Sequence, residues 1–126
     1  MKINDIDLEL FSNIESERTN VSDLDQLAEI IQRGGNVNAK NEIGDPLIYV
    51  ATKNVSLRTV KFLLSHGAEP NCHNHEGNSL LALAVSYDSH KLSEFDIFQV
   101  LIEFGADINI VNNKNQNVLW VSQNTV

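Results

Sequence analysis

The sequence predicts an all-α solenoid, a row of stacked helix-turn-helix units joined by hairpin-like loops, and three observations carry that expectation. The phrase Gly67-Ala68-Glu69-Pro70-Asn71 returns as Gly105-Ala106-Asp107-Ile108-Asn109 and, more loosely, as Gly34-Gly35-Asn36-Val37-Asn38. Each copy follows an apolar stripe at helical spacing: Leu27, Ile30 and Ile31, then Val60, Phe62, Leu63 and Leu64, then Phe98, Val100, Leu101 and Ile102. A second glycine keeps the register, Gly44 and Gly77 lying the same 33 residues apart as Gly34 and Gly67. A period of this length marks a repeat array, which builds an extended surface rather than an enclosed pocket.

The elements follow in chain order. Leu8, Leu10, Phe11 and Ile14 give residues 7–14 an amphipathic helical pattern, and Ser22-Asp23-Leu24-Asp25 resembles a capping box that opens a second helix running to Arg33. The pair forms an atypical first unit, about residues 5–38. Asp5, Asp7, Glu9, Glu15 and Glu17 are expected on its exposed face, as suits a terminal capping unit. Gly34, Gly67 and Gly105 sit where a helix must end in a left-handed residue, a conformation glycine reaches without Cβ strain. Polar stretches then turn the chain outward. After Gly44 and Gly77 the next helices open at Pro46-Leu47-Ile48-Tyr49-Val50-Ala51 and Ser79-Leu80-Leu81-Ala82-Leu83-Ala84. Residues 39–71 form a second unit and 72–109 a third. Gly67 to Gly105 spans 38 residues, so the third unit carries five extra, expected around Asp88-Ser89-His90-Lys91-Leu92 before Ser93-Glu94-Phe95-Asp96 restarts a helix. Residues 110–126 make an incomplete last unit. There Leu119 and Val121 expect a covering helix, from further chain or from a partner that caps the C-terminal edge of an otherwise monomeric protein.

Composition narrows the function classes. The chain has 126 residues, 42% of them apolar, enough for the elongated core of one domain. The formal charge of -8 argues against unaided binding to nucleic acid or an anionic membrane, since both reward clustered lysine and arginine; a basic protein is the complementary partner. No apolar run is long enough to span a bilayer, and Met1-Lys2-Ile3-Asn4-Asp5 lacks the apolar core of a secretory signal. The lone Cys72 excludes an internal disulfide and fits a reducing, cytoplasmic setting.

This grammar resembles the ankyrin repeat over roughly residues 27 to 123. The second-helix stripe and the Gly-Ala-Asp-x-Asn phrase match well. The family's Thr-Pro-Leu-His opening is replaced by Pro46-Leu47-Ile48-Tyr49, Ser79-Leu80-Leu81-Ala82 and Asn117-Val118-Leu119-Trp120. Only Ser79 could keep part of the hydrogen-bond network that the family's threonine and histidine form, so lower stability than a consensus array is expected. The resemblance implies a non-catalytic binding module that meets its partner with the hairpin tips and the exposed side of each first helix. Carried onto this chain, that surface is Lys40, Glu42, Ile43 and Asp45, then Lys53, Asn54, His73, His75, Glu76 and Asn78, then Ser86, Tyr87, Val111, Asn113, Lys114 and Gln116. Ile43 and Val111 stand out as apolar residues on projecting loops. Tyr49 and Trp120, at the family's histidine position, are aromatics suited either to an interface or to the core.

Catalytic constellations are weak. Cys72, His73 and His75, with His66 nearby, offer zinc-type ligands but no second cysteine, and in the repeat register Cys72 takes the place of a small packed alanine. The same position leaves Cys72 without an oriented base in a sheltered cleft. Gly34-Gly35 follows a helix instead of opening one, so it is no phosphate loop. No metal or other cofactor is expected. The expectation is a protein-binding module, in its sharper form a small acidic immunity- or antitoxin-like inhibitor of a basic partner. The alternatives are an N-terminal scaffold segment of a larger effector or signalling protein and, least supported, a metal- or Cys72-dependent hydrolase.

Overall fold

The computed structural model describes residues 4–15, 22–53, 57–86 and 92–117. Six helices appear in them: α1 (Asp5–Glu15), α2 (Ser22–Gln32), α3 (Leu47–Lys53), α4 (Leu57–Ser65), α5 (Leu80–Ser86) and α6 (Leu92–Glu103). They pair as α1 with α2, α3 with α4 and α5 with α6. The first helices α1, α3 and α5 stack into an inner layer, and α6 packs on α4 in the outer one. The core runs the length of the stack through Leu10, Phe11, Ile14, Leu27, Leu47, Ile48, Leu63, Leu80, Leu81, Ile97 and Leu101. This is the all-α solenoid expected from the period.

Local chemistry sets the helix ends. Asn4 Oδ1 accepts the Asp7 N–H at 2.8 Å and Ser79 Oγ accepts the Ala82 N–H at 3.0 Å, each a side-chain cap on an otherwise unpaired first-turn donor. Helix α4 ends in a Schellman turn: the Ala68 N–H reaches the Leu63 carbonyl, the Gly67 N–H reaches that of Leu64, and Gly67 holds φ at 96°. The same two bonds recur after α2 and α6, with Gly34 and Gly105 also at positive φ.

The asparagine that follows each turn ties one unit to the next. The Asn38 side chain donates to the Gly67 carbonyl (3.0 Å) and accepts the Glu69 N–H (2.8 Å). Asn71 repeats this on Gly105 (3.3 Å) and Asp107 (2.7 Å). At the N-terminal end the equivalent N–H, that of Asn36, is accepted at 2.8 Å by Asp7. Asp7 therefore does not share the exposed acidic face with Asp5 and Glu9. It is buried, because α1 uses this carboxylate to close the ladder of backbone donors.

The extra length of the third unit is divided. The connector 87–91 is two residues longer than its counterpart 54–56, and α6, at 12 residues, is three longer than α4, at 9. The helix thus begins at Leu92, one residue ahead of the expected restart at Ser93, and absorbs most of the expansion as an added helical turn. The connector itself, together with Leu119, Trp120, Val121 and Glu17, lies outside the described residues. Among the described residues no helix is long and apolar enough to cross a membrane.

Candidate functional site

Three hairpin tips project from one side of the stack, closed by antiparallel bridges between Lys40 and Pro46, His73 and Ser79, and Val111 and Asn117. Each tip is held by an asparagine in the same place. Asn41 Oδ1 accepts the Asp45 N–H (2.9 Å); Asn74 Oδ1 accepts those of Glu76 (3.0 Å) and Asn78 (2.9 Å); Asn112 Oδ1 accepts those of Lys114 and Gln116, both at 2.9 Å. Gly44 and Gly77 supply the positive φ each tip needs, and in the third tip Asn115 does so at 60°.

The tips are also bonded to one another. The Asp45 carboxylate, 2% exposed, accepts the His75 backbone N–H at 2.9 Å and the His75 ring N–H at 2.7 Å. The buried Tyr49 hydroxyl accepts from Asn74 Nδ2 at 3.1 Å. His73 Nε2 donates to the Val111 carbonyl at 2.8 Å, and the Asn113 N–H to that of Gly77 at 3.2 Å. These bonds replace the missing threonine-histidine network, with Tyr49 and Asp45 reaching forward to the following tip. Burial pushes the Tyr49 hydroxyl up to about 12, the charges of Asp45 and Glu76 adding to the shift, so at neutral pH it stays protonated.

Two expectations change as a result. Asp45, expected on the exposed surface, is buried, and its carboxylate accepts from His75. Tyr49, which suited either an interface or the core, belongs to the buried core, with its hydroxyl bonded to Asn74 of the second tip. Lys40, Glu42, Ile43, Lys53, His75, Glu76, Asn78, Val111, Asn113 and Lys114 are exposed as expected, while His73 and Gln116 are half-buried. Gln116 is also engaged, accepting from Asn112 Nδ2 at 2.8 Å. Asn54, Tyr87 and the Ser86 side chain lie outside what the structure describes. Ile43, 61% exposed, is the most prominent apolar residue on the tips. A groove of about 540 Å³ runs between the first two tips, lined by Lys40, Gly44, Pro46, His73, Asn74 and His75. The turn-holding asparagines at 41, 74 and 112 were detectable in the sequence as one more residue recurring in register.

Charge is unevenly spread over this frame. The tips and the exposed end of α3 carry Lys40, Lys53 and Lys114 against Glu42 and Glu76, and none of these lysines has an ion-pair partner among the described residues. Asp5, Glu9, Asp25, Glu29, Glu103 and Asp107 lie on the helices and turns away from the tips, while Glu69 borders the groove between the first two tips. Cys72, just before the second tip, is half-buried, and burial is the chief cause that pushes its thiol up to about 12. A thiol so protonated is a poor nucleophile, and His73 and His75 are bonded to Val111 and Asp45 instead of to it.

Burial alone would raise the Asp45 pKa, but the hydrogen bonds from His75, with the nearby positive charge of His75 and Lys53, outweigh it and hold the carboxyl below its ordinary value. The sign follows. This contribution is complete above the unfolded-state value of about 4 and is lost as pH falls through the lower folded value. Asp45→Ala is expected to cost about 1–3 kcal/mol at neutral pH by leaving the His75 donors unpaired. Urea denaturation between pH 7 and pH 3 should show the gap to wild type closing on acidification; a gap independent of pH would mean that the ionised form of Asp45 adds nothing.

The family of ankyrin repeats in three copies matches residues 18–112. An ankyrin repeat protein of Acanthamoeba polyphaga mimivirus is 37% identical over 84 residues, covering 66% of this chain and 19% of that protein. One from Fowlpox virus (strain NVSL) is 33% identical over 94 residues, covering 73% of this chain and 26% of its own length. The chain thus spans a fifth to a quarter of these two relatives. Among solved structures, the ankyrin repeat domain of Bcl-3, a member of the IkappaB protein family, superimposes with a TM-score of 0.75 at 26% identity, covering 89% of this chain and 45% of that one. With the period, the Schellman turns, the bonded tips and these matches together, the chain belongs to the ankyrin-repeat family.

Proposed function

We propose that this protein is a non-catalytic adaptor or inhibitor that binds one protein partner across its hairpin tips and the adjoining exposed side of its first helices. Ankyrin repeats are protein–protein interaction modules. The observation that carries the placement is the rigidity of the tips: every tip is closed by its own asparagine and bonded to a neighbour, so little ordering entropy is left to lose on binding. Ile43 and Val111 then supply exposed apolar anchors beside a groove. The test is capture of partners from a lysate by wild-type protein and by an Ile43→Asp, Val111→Asp double variant. Loss of a specific partner with unchanged thermal stability is expected. A partner retained at full strength moves the site off the tips.

The sharper version, an acidic immunity- or antitoxin-like inhibitor of a basic protein in the cytosol, is supported by the net charge of -8. Because the carboxylates lie mostly away from the tips, they act as a long-range field rather than as contacts. Association should therefore slow as salt rises from 50 to about 500 mM, with little change in dissociation. A salt-independent on-rate sinks this version while leaving the tip site standing. The greater length of the relatives supports a second reading, in which these residues are a scaffold segment within a larger protein.

A further inference from the structure

The three tips present their apex residues in one row. Each tip is bridged and held at the same places, so its apex is the residue just before the left-handed position: Ile43 before Gly44, Glu76 before Gly77 and Lys114 before Asn115. One is apolar, one acidic and one basic. All three are exposed, Ile43 at 61%. Glu76 has a tip on either side and is still exposed, so the apex position stays open whatever stacks beside it. The Glu76 carboxylate and the Lys114 ammonium have no partner among the described residues, and they do not pair with each other across adjoining tips. The His75 ring beside Glu76 is committed to Asp45.

The row has a regular step. Each tip lays two chain segments side by side, and the second tip joins the third through the backbone bond from the Asn113 N–H to the Gly77 carbonyl at 3.2 Å. Hydrogen-bonded segments lie about 4.8 Å apart, so two per tip give a step of about 10 Å, in keeping with the ~8–10 Å between packed helices. An α-helix rises about 10.5 Å in seven residues and has then turned back to within about 20° of the same face. A β-strand covers the step in about three residues, which sends successive contacts to opposite faces. A polyproline helix has a suitable rise, about 9.3 Å in three residues, but docks on aromatic-lined grooves. No Phe, Tyr or Trp occurs in residues 40–46, 73–79 or 111–117.

We infer that the tip site, taken as proposed above, receives one α-helix of its protein partner laid along the row. That helix carries an apolar residue against Ile43, Lys or Arg seven residues away against Glu76, and Asp or Glu a further seven away against Lys114. Charge complementarity sets the order. An exposed ion pair adds little affinity, but like charges facing each other are rejected, so Glu76 and Lys114 act as a filter on partners that Ile43 anchors.

The probe is a display library of stapled helices of about 18 residues, randomised at three sites seven apart and selected on the immobilised full chain. Wild type is expected to return an apolar residue at one end, Lys or Arg in the middle and Asp or Glu at the other end. On Glu76→Lys the middle residue should turn acidic with both ends unchanged, and on Lys114→Glu the acidic end should turn basic. Glu76→Lys should weaken a helix selected on wild type roughly tenfold, and exchanging that helix's middle base for Glu should restore binding. Melting temperatures should not move, since both side chains are exposed and unbonded. Failure to select any helix overturns the inference, and so do sequences that ignore the two swaps. The Ile43→Asp, Val111→Asp double variant separates this result from the tip site itself. Helices that ignore the swaps but lose binding to the double variant leave the tip site standing, whereas helices that bind it unchanged remove both.

Discussion

Leu63→Ala is expected to lower stability by about 2–5 kcal/mol, read as a fall in the urea midpoint at constant slope. Leu63 is fully buried in α4, where its side chain belongs to the continuous core and its carbonyl accepts the Ala68 N–H that closes the helix. Truncation removes apolar area and leaves a cavity between units that pack on both sides, so there is little freedom for collapse. Ile102→Ala supplies the internal control. Ile102 lies on the equivalent outer helix but is partly exposed at the end of the stack, and its loss should stay below about 1 kcal/mol. Equal costs at the two positions would contradict the stacking of α6 on α4.

The second large effect is expected for Gly77→Ala, at about 2–4 kcal/mol from two separable sources. A left-handed backbone strains any residue with a Cβ by about 1–2 kcal/mol, and Gly77 holds φ at 85°. Forcing a methyl into an occupied space adds a further penalty of about 1–3 kcal/mol, and here the Cβ would meet Asn113 atoms at 2.6, 2.7 and 2.9 Å. Gly67→Ala isolates the first source. Its φ is 96°, yet nothing lies within 4 Å of the added Cβ, so the cost should be only about 1 kcal/mol. In an Asn113→Gly background the Gly77→Ala penalty should fall to the level of Gly67→Ala. If Gly67 and Gly77 cost the same in the wild-type background, the tips do not press on each other as the structure shows.

These contrasts mark what was legible in the sequence. Gly67 and Gly105 announce helix ends because a left-handed C-terminal residue is a local requirement, written in the few residues around it. The apolar stripe Val60, Phe62, Leu63 and Leu64 likewise predicts a buried face, although Phe62 proves only half-buried and shares its ring contact with His66. Sequence alone predicts exposure for Asp7 and Asp45, because a carboxylate ordinarily prefers water. Their hydrogen-bond partners, Asn36 and His75, are 29 and 30 residues away, and nothing local signals them. Tyr49 was ambiguous for the same reason, since its outlet is Asn74 in the next tip. Spacing alone places the five added residues of the third unit between its two helices. Spacing counts residues without saying which adopt helix, and α6 took most of them.

By itself, the sequence determined the repeat period, the all-α solenoid and the positions at which each helix must stop, because these depend on backbone sterics and on hydrophobic spacing within a single unit. The tertiary structure decided which polar groups are consumed in holding units together and which remain for a partner. Asp7, Asp45 and Tyr49 are buried in the stack, Asn38 and Asn71 are engaged between units at its surface, and Ile43, Val111 and the tip lysines stay outside. The physical reason is that a buried donor or acceptor must be paired, and the partner that pairs it comes from a neighbouring unit about one repeat away in sequence, where only folding brings the two together.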